Sequence, residues 1–203
     1  VDALTGAAVG RPKSATFRTA DIAGLDVLSK VASDLQTNLK EEAFRLPPFV
    51  EAMVSEGALG EKAGRGFYQK VKGTAGSEIH VRNLVGTGYG PRTKPRFASV
   101  DAARSIDDVR ARVKTLFLAK DRAGEFLRAT LGRTLLYTAR IAPDIADSID
   151  DIDRAMRWGF GWELGPFETW DAIGVQEILQ ALAVPAADIP PQVADILAQG
   201  RNA

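Results

Sequence analysis

Apolar residues fall at helical spacing between positions 19 and 39, where Ala20, Ile22, Leu25, Leu28, Val31, Ala32 and Leu35 form one stripe. Gly24 interrupts it, and Thr19 is the expected N-cap, its hydroxyl accepting an orphan amide of the first turn. The pair Pro47-Pro48 stops one segment and opens a helix from Phe49 to Glu56, with Gly57 as its C′ residue. The same test predicts helices over 106–119, 122–141, Asp144 to Arg157, 172–183 and 191–199. Two short stretches prefer strand, Phe67 to Val71 and Ile79-His80-Val81, and predict a small hairpin. Residues 82–104, with Gly86, Gly88, Gly90 and Pro91 before a basic run to Arg96, read as an irregular connector. The expected class is all-α with a minor β appendage.

The pattern also repeats. Phe17-Arg18-Thr19-Ala20-Asp21-Ile22-Ala23-Gly24-Leu25 returns as Phe167-Glu168-Thr169-Trp170-Asp171-Ala172-Ile173-Gly174-Val175, with identical internal spacing. Val1-Asp2 precedes Phe17 by the same distance, within one residue, as Ile152-Asp153 precedes Phe167. Pro47-Pro48-Phe49-Val50 and Gly57 answer Pro190-Pro191-Gln192-Val193 and Gly200. The expectation is two tandem copies of one helical unit, over 1–72 and 121–203, separated by a hairpin and connector over 73–120. The second copy has an apolar lead from Phe126 to Ile141 that the first lacks, and the first continues past Gly57 into Leu59–Tyr68. The chain is therefore expected to be a piece of a longer polypeptide, trimmed at both ends.

Composition narrows the function classes without naming one. Lys and Arg balance Asp and Glu at 26 each, so no global field draws the chain to nucleic acid or an anionic membrane. The absence of Cys removes disulfides, thiolate catalysis and Cys-ligated zinc together. No apolar run approaches the roughly 20 residues of a membrane span. A soluble, cytoplasmic setting is expected.

Individual motifs divide between chemistry and architecture. Gly86-Thr87-Gly88-Tyr89-Gly90-Pro91 invites comparison with a dinucleotide loop, but Pro91 stands where the sixth-position Gly belongs and has no amide for a phosphate. The reading is a surface loop, with no nicotinamide-binding fold in the chain. His80, the single histidine, has no partner at catalytic or metal-ligand spacing and reads as a half-exposed hairpin residue. Asp21 and Asp171 recur four residues after a Phe and are expected to tie down amides near their own turn, with Gly24, Phe167 and Gly174 as further structural marks of the repeat. In Gly10-Arg11-Pro12-Lys13-Ser14-Ala15-Thr16-Phe17, the basic Arg11, Lys13 and Arg18 suit an anionic ligand, while Pro12, Ala15 and Phe17 offer apolar surface. A solvated basic loop is the competing reading. Trp158, Phe160, Trp162, Phe167 and Trp170 crowd one segment and are expected to fill a core or an inter-repeat interface.

The stretches Gly10 to Asp26 and Leu59 to Tyr68 resemble the C-terminal domain of the 3-hydroxyacyl-CoA dehydrogenases of fatty-acid β-oxidation. Asp153 to Phe167 resembles the degenerate repeat of the long, duplicated members, and the resemblance is weakest over 73–120. It implies an oxidoreductase that uses NAD to oxidise an L-3-hydroxyacyl-CoA to the 3-ketoacyl-CoA. In that family a His–Glu pair and a Ser on a Rossmann domain act on the hydroxyl, and none of them lies in this chain. An Asn in the helix opening the C-terminal domain has as its counterpart in the second copy Arg128-Ala129-Thr130, without Asn. No catalytic residue carries over. The implied roles are to close over the acyl-CoA and to line part of its pocket with Gly10, Arg11, Pro12, Lys13, Ser14 and Phe17. The implied partners are the missing Rossmann domain and, in long members, an enoyl-CoA hydratase domain. The second copy takes the position that a partner subunit holds in shorter members. The competing expectation is a helical interaction module that binds no ligand.

Overall fold

In the computed structural model, which describes residues 1–73, 76–86 and 88–202, the stripe predicted over 19–39 is divided at Gly24. A single turn α1 (Asp2–Thr5) is followed by α2 (Ala15–Ala23) and α3 (Leu25–Leu39). Thr19 lies inside α2 and is no N-cap; its hydroxyl donates back to the Ala15 carbonyl, the local bond open to a mid-helix Thr. Then comes α4 (Pro48–Ser55), where Pro48 opens the helix and Gly57, with φ +72°, turns the chain as predicted. The chain divides into two units, Val1–Asp2 with Ser14–Lys94, and Ala3–Lys13 with Pro95–Ala203.

The core of the first unit is small and aromatic. Leu25, Val50, Met53, Ala58 and Phe67 are buried together. The Phe67 ring stacks on Phe17 with centroids 3.9 Å apart and meets Phe49 edge-on at 6.3 Å. Phe67 leads into an antiparallel sheet of β1 (Tyr68–Gly73), β2 (Gly76–Arg82) and β3 (Tyr89–Pro91), with Tyr68 opposite Val81 and Lys70 opposite Ile79. The predicted hairpin is present, but the connector is more regular than expected. β3 pairs His80 with Pro91 on the outer edge, where a missing N–H goes unused. The Tyr89 hydroxyl secures β3 by donating to the Gly66 carbonyl at 2.6 Å.

The second unit is helical. α5 (Ala98–Ala103) also falls in the expected connector; Asp121 draws it in by accepting from the Ser99 amide and hydroxyl. α6 (Val109–Phe117) is capped by Asp108, and α7 (Arg122–Leu127) by Asp121. The helix predicted over 122–141 widens into a π turn over Arg128–Gly132 and resumes as α8 (Arg133–Ile145). The helix predicted from Asp144 begins later, as α9 (Ile149–Phe160), behind the N-cap Ser148. α10 (Pro166–Ile173), α11 (Val175–Ala181) and α12 (Pro191–Ala198) complete it, with Gly174 dividing the stretch predicted as 172–183. Leu4 and Val9 join its core beside Leu116, Phe117, Leu135 and Ile173.

α8 continues through Pro143, which cannot donate to the Ala139 carbonyl four residues back. The side chain of Gln192, in α12, donates to that carbonyl instead. Gln192→Ala is expected to destabilise the chain by about 1–3 kcal/mol, the cost of an unsatisfied carbonyl. Urea denaturation measures it, and an unchanged midpoint would show that water serves Ala139 equally well.

Among the described residues no helix is long and apolar enough to cross a membrane, and no cluster of three or more His, Asp or Glu is placed to hold a metal.

Candidate functional site

The loop that follows the helical turn Ala7–Val9 is held rigidly. Gly10 ends that turn at φ +68°, and a Cβ there would meet Val109 Cγ2 at 2.8 Å, so conformation and space both require Gly. Its carbonyl accepts from the Glu163 amide at 2.7 Å. Arg112 braces the preceding turn by donating to the carbonyls of Ala8 and Ile106. The Arg11 guanidinium lies 3.9 Å from the centroid of the Trp162 ring. Burial lowers its pKa to about 10, which still leaves it charged at neutral pH, and its Nη2 is buried with no hydrogen-bond partner. A desolvated cation with an unmet donor is costly. Chemically it suits an incoming anionic or carbonyl oxygen. Pro12 and Lys13 are exposed beside it.

Of the six loop residues singled out from sequence, Gly10, Arg11, Pro12 and Lys13 belong to the second unit, and Ser14 and Phe17 to the first. The Ser14 hydroxyl accepts from Thr19, and the Phe17 ring is committed to Phe67.

Carboxylates clamp each unit from within. Asp21 is buried and accepts from the amides of Phe67 (2.7 Å) and Tyr68 (2.8 Å). Those amides lie more than forty residues away, not in its own turn as expected. Asp171, at the matching place, is exposed and makes no such clamp. The helix-opening amides are instead held by two residues that the sequence flagged only through matched spacing. Asp2 accepts from Phe17 (2.7 Å) and Arg18 (3.1 Å), and Asp153 from Phe167 (2.8 Å) and Glu168 (2.9 Å). Asp2 also accepts from the Tyr68 hydroxyl at 2.8 Å, which, after burial, helps hold that phenol above its ordinary pKa. Burial pushes the Asp21 and Asp153 carboxyls up, and the amides they accept pull them back. With their lone pairs engaged, these groups act as architecture and not as bases.

The remaining motifs resolve in different ways. Thr87, inside Gly86–Pro91, lies outside the described residues; Tyr89–Pro91 is strand, so this stretch does not open a helix whose amides could cradle a dinucleotide phosphate. Residues here do not fit NAD. His80 is half-buried on β2, with Nε2 3.7 Å from Glu78. The aromatic segment splits: Phe167 and Trp170 are buried and Trp162 carries Arg11, but Trp158 and Phe160 are 80% and 64% exposed. The expectation that all five fill a core fails there, because the last turn of α9 points these two outward.

Comparison with known proteins gives a consistent result. The family model for the C-terminal domain of 3-hydroxyacyl-CoA dehydrogenase matches residues 1–70 and 126–197. A Bacillus subtilis (strain 168) protein named "Probable 3-hydroxyacyl-CoA dehydrogenase" is 43% identical over 205 residues, covering all of this chain and 26% of that protein. A Deinococcus radiodurans protein of the same name is 52% identical over 73 residues, 36% of this chain and 21% of that one. A Rickettsia felis protein named "Putative fatty acid oxidation complex trifunctional enzyme" is 23% identical over 173 residues, 83% of this chain and 22% of that one. The chain thus spans about a quarter of the length of the curated relatives it matches.

Proposed function

Since this chain belongs to the family of 3-hydroxyacyl-CoA dehydrogenase C-terminal domains, we propose that it is the substrate-side helical part of an NAD-dependent enzyme of fatty-acid β-oxidation. The parent would convert an L-3-hydroxyacyl-CoA and NAD to the 3-ketoacyl-CoA, NADH and a proton, in the cytoplasm. The observation that carries this reading is Arg11, a half-buried cation whose Nη2 is a buried, unmet donor, on a loop held by Gly10 and Glu163. Arg11 and Lys13 bind an acyl-CoA oxygen and fix its place, while Gly10 and Pro12 shape the loop. NAD and the hydroxyl-activating residues belong, in this reading, to a Rossmann domain elsewhere in the parent; a hydratase domain in the same polypeptide fits the name of the Rickettsia relative.

In the parent enzyme, Arg11→Ala is expected to weaken acetoacetyl-CoA binding about tenfold or more, the loss of one charge-assisted bond, with NAD affinity unchanged. Arg11→Lys should restore part of it. Unchanged acetoacetyl-CoA affinity, measured calorimetrically, would make Arg11 only a brace for Trp162. The isolated 203-residue chain is expected to reduce no NAD. Dehydrogenase turnover in a preparation free of host enzyme would contradict that.

We also infer that the two matched stretches are copies of one unit, with 73–120 between them. Their internal bonds support this: Gly24 and Gly174 share φ values of 100° and 104°, and the Leu25 amide donates to Leu59 as the Val175 amide does to Asn202. A second reading, a helical interaction module, is favoured by the exposed Trp158 and Phe160. Trp158→Ala with Phe160→Ala would then abolish partner capture by the parent and leave its turnover intact.

A further inference from the structure

A cleft opens within the second unit, on the side of α8 that carries Arg133 and Tyr137, against the loop between α11 and α12. Its volume is about 370 Å³. Its floor is apolar: Leu136 from α8, and Leu182, Val184 and Pro190 from the loop. Leu182 packs closely against Gly132, where a Cβ would come within 2.8 Å of its Cδ2. The rim is charged. Arg133 and Arg140 stand two helical turns apart on α8, with Asp188 on the loop. Arg140 lies 5.3 Å from the Tyr137 ring. Arg133 is exposed and holds no ion pair among the described residues.

Size decides between kinds of occupant. A stable polypeptide partner needs roughly 1,000 Å² of buried surface, whereas small-ligand clefts begin near about 300 Å³. This cleft belongs to the second class, with room for roughly a dozen groups the size of a water molecule. Chemistry decides the rest. An apolar floor takes a hydrocarbon chain, and the exposed Arg133 guanidinium at the rim suits an anionic head group.

We propose that this cleft is a binding site for a single acyl chain with an anionic head group, the chain lying on Leu136, Leu182 and Val184 and the head meeting Arg133. Arg11 and its loop take no part, so the proposal does not depend on the reading of Arg11 given above. The site is non-catalytic: no step of the oxidation is assigned to it.

Calorimetric titration of the 203-residue chain with decanoate, decanol and decanoyl-CoA tests this. Decanoate is expected to bind one to one and about tenfold more tightly than decanol. Arg133→Ala should erase that preference while leaving decanol unchanged. Val184→Trp, which fills the cleft, should remove decanoate binding, and Arg11→Ala should leave it intact. Decanoyl-CoA separates the two sources of such a chain. If Val184→Trp weakens decanoyl-CoA along with decanoate, the cleft accepts an acyl-CoA; if it weakens decanoate alone, the ligand is a free fatty acid; either outcome keeps the cleft. If Val184→Trp does not fold, Arg133→Glu, at an exposed position, should repel decanoate. Saturation by decanol as tight as by decanoate, undiminished decanoate binding in a folded Val184→Trp, undiminished decanoate binding in Arg133→Glu, or no saturable binding at all overturns the proposal.

Discussion

Replacing Gly60 by Ala is expected to unfold the first unit. A Cβ at Gly60 would fall far inside van der Waals contact of the Asp21 carbonyl oxygen, a backbone atom that cannot rotate aside. Gly60 also has φ +100°, which disfavours any L side chain. Its amide is bonded to the Arg65 carbonyl at 2.8 Å, and a Cβ at Gly66 would be just as crowded by the Asp21 carboxylate, so the turn has little room to back away. Strain of about 1–2 kcal/mol adds to overpacking of about 1–3 kcal/mol or more. The sum is a large part of the 5–15 kcal/mol that holds a typical domain together. Gly64→Ala is the control. Gly64 has φ +71° but nothing within 4 Å of a Cβ, so it carries the strain without the clash. Urea denaturation should show Gly60→Ala losing several kcal/mol more than Gly64→Ala, and equal losses would refute the close-approach argument.

Asp153→Ala is expected to be nearly as damaging in the second unit, by about 2–5 kcal/mol. It orphans the amides of Phe167 and Glu168 at the buried start of α10, each worth about 1–3 kcal/mol when left unpaired. Phe167 and Trp170, both buried, are then no longer anchored. Asp153→Asn keeps one acceptor oxygen and should cost less. The pH dependence has a definite sign. Burial, with Glu168 and Asp171 nearby, holds the native carboxyl above its ordinary value, and the two amides only partly offset this. The native state therefore holds the proton more readily than the unfolded chain. That contribution is fully present below the unfolded pKa and is lost as pH rises through the folded one. The stability gap between wild type and Asp153→Asn should widen as the solution is acidified from neutral toward the ordinary carboxylate range. A gap that narrows instead would mean that the amide bonds outweigh burial.

Asp2→Ala offers the matching experiment in the first unit, where Phe17 and Arg18 are the amides at risk. Comparable losses at Asp2 and Asp153 are what copies of one unit require. The spacing of Asp2 before Phe17 and of Asp153 before Phe167 was visible in the sequence, but as a coincidence of positions and not as a bond. The residues that looked like the repeated structural carboxylates, Asp21 and Asp171, proved unlike each other: one is buried under a distant loop, the other is exposed. Among the aromatics, sequence could not separate the buried Trp170 from the exposed Trp158, because crowding along the chain does not say which way a helix end faces.

What the sequence determined by itself was local or repeated. Helical spacing located most helices, Pro48 and Gly57 marked the ends of α4, and the strand-preferring stretches Phe67 to Val71 and Ile79 to Val81 marked the hairpin. The Gly10–Asp26 and Leu59–Tyr68 stretches were long enough to identify the family, which the matched residues 1–70 and 126–197 bear out. These signals succeed because propensity, capping and turn chemistry act within about four residues of backbone. Tertiary structure alone decided the rest. It set Asp21 under the amides of Phe67 and Tyr68, gave Gln192 to the carbonyl that Pro143 leaves open, drew α5 in through Asp121, and packed Leu4 and Val9 into the second unit's core. It also set Arg11 over Trp162 with a buried, unpartnered Nη2, a contact that the basic composition of the loop does not record. The physical reason is common to all of these. A buried polar group must find its partner wherever the fold supplies one, and that partner lies at a distance along the chain that no local pattern records.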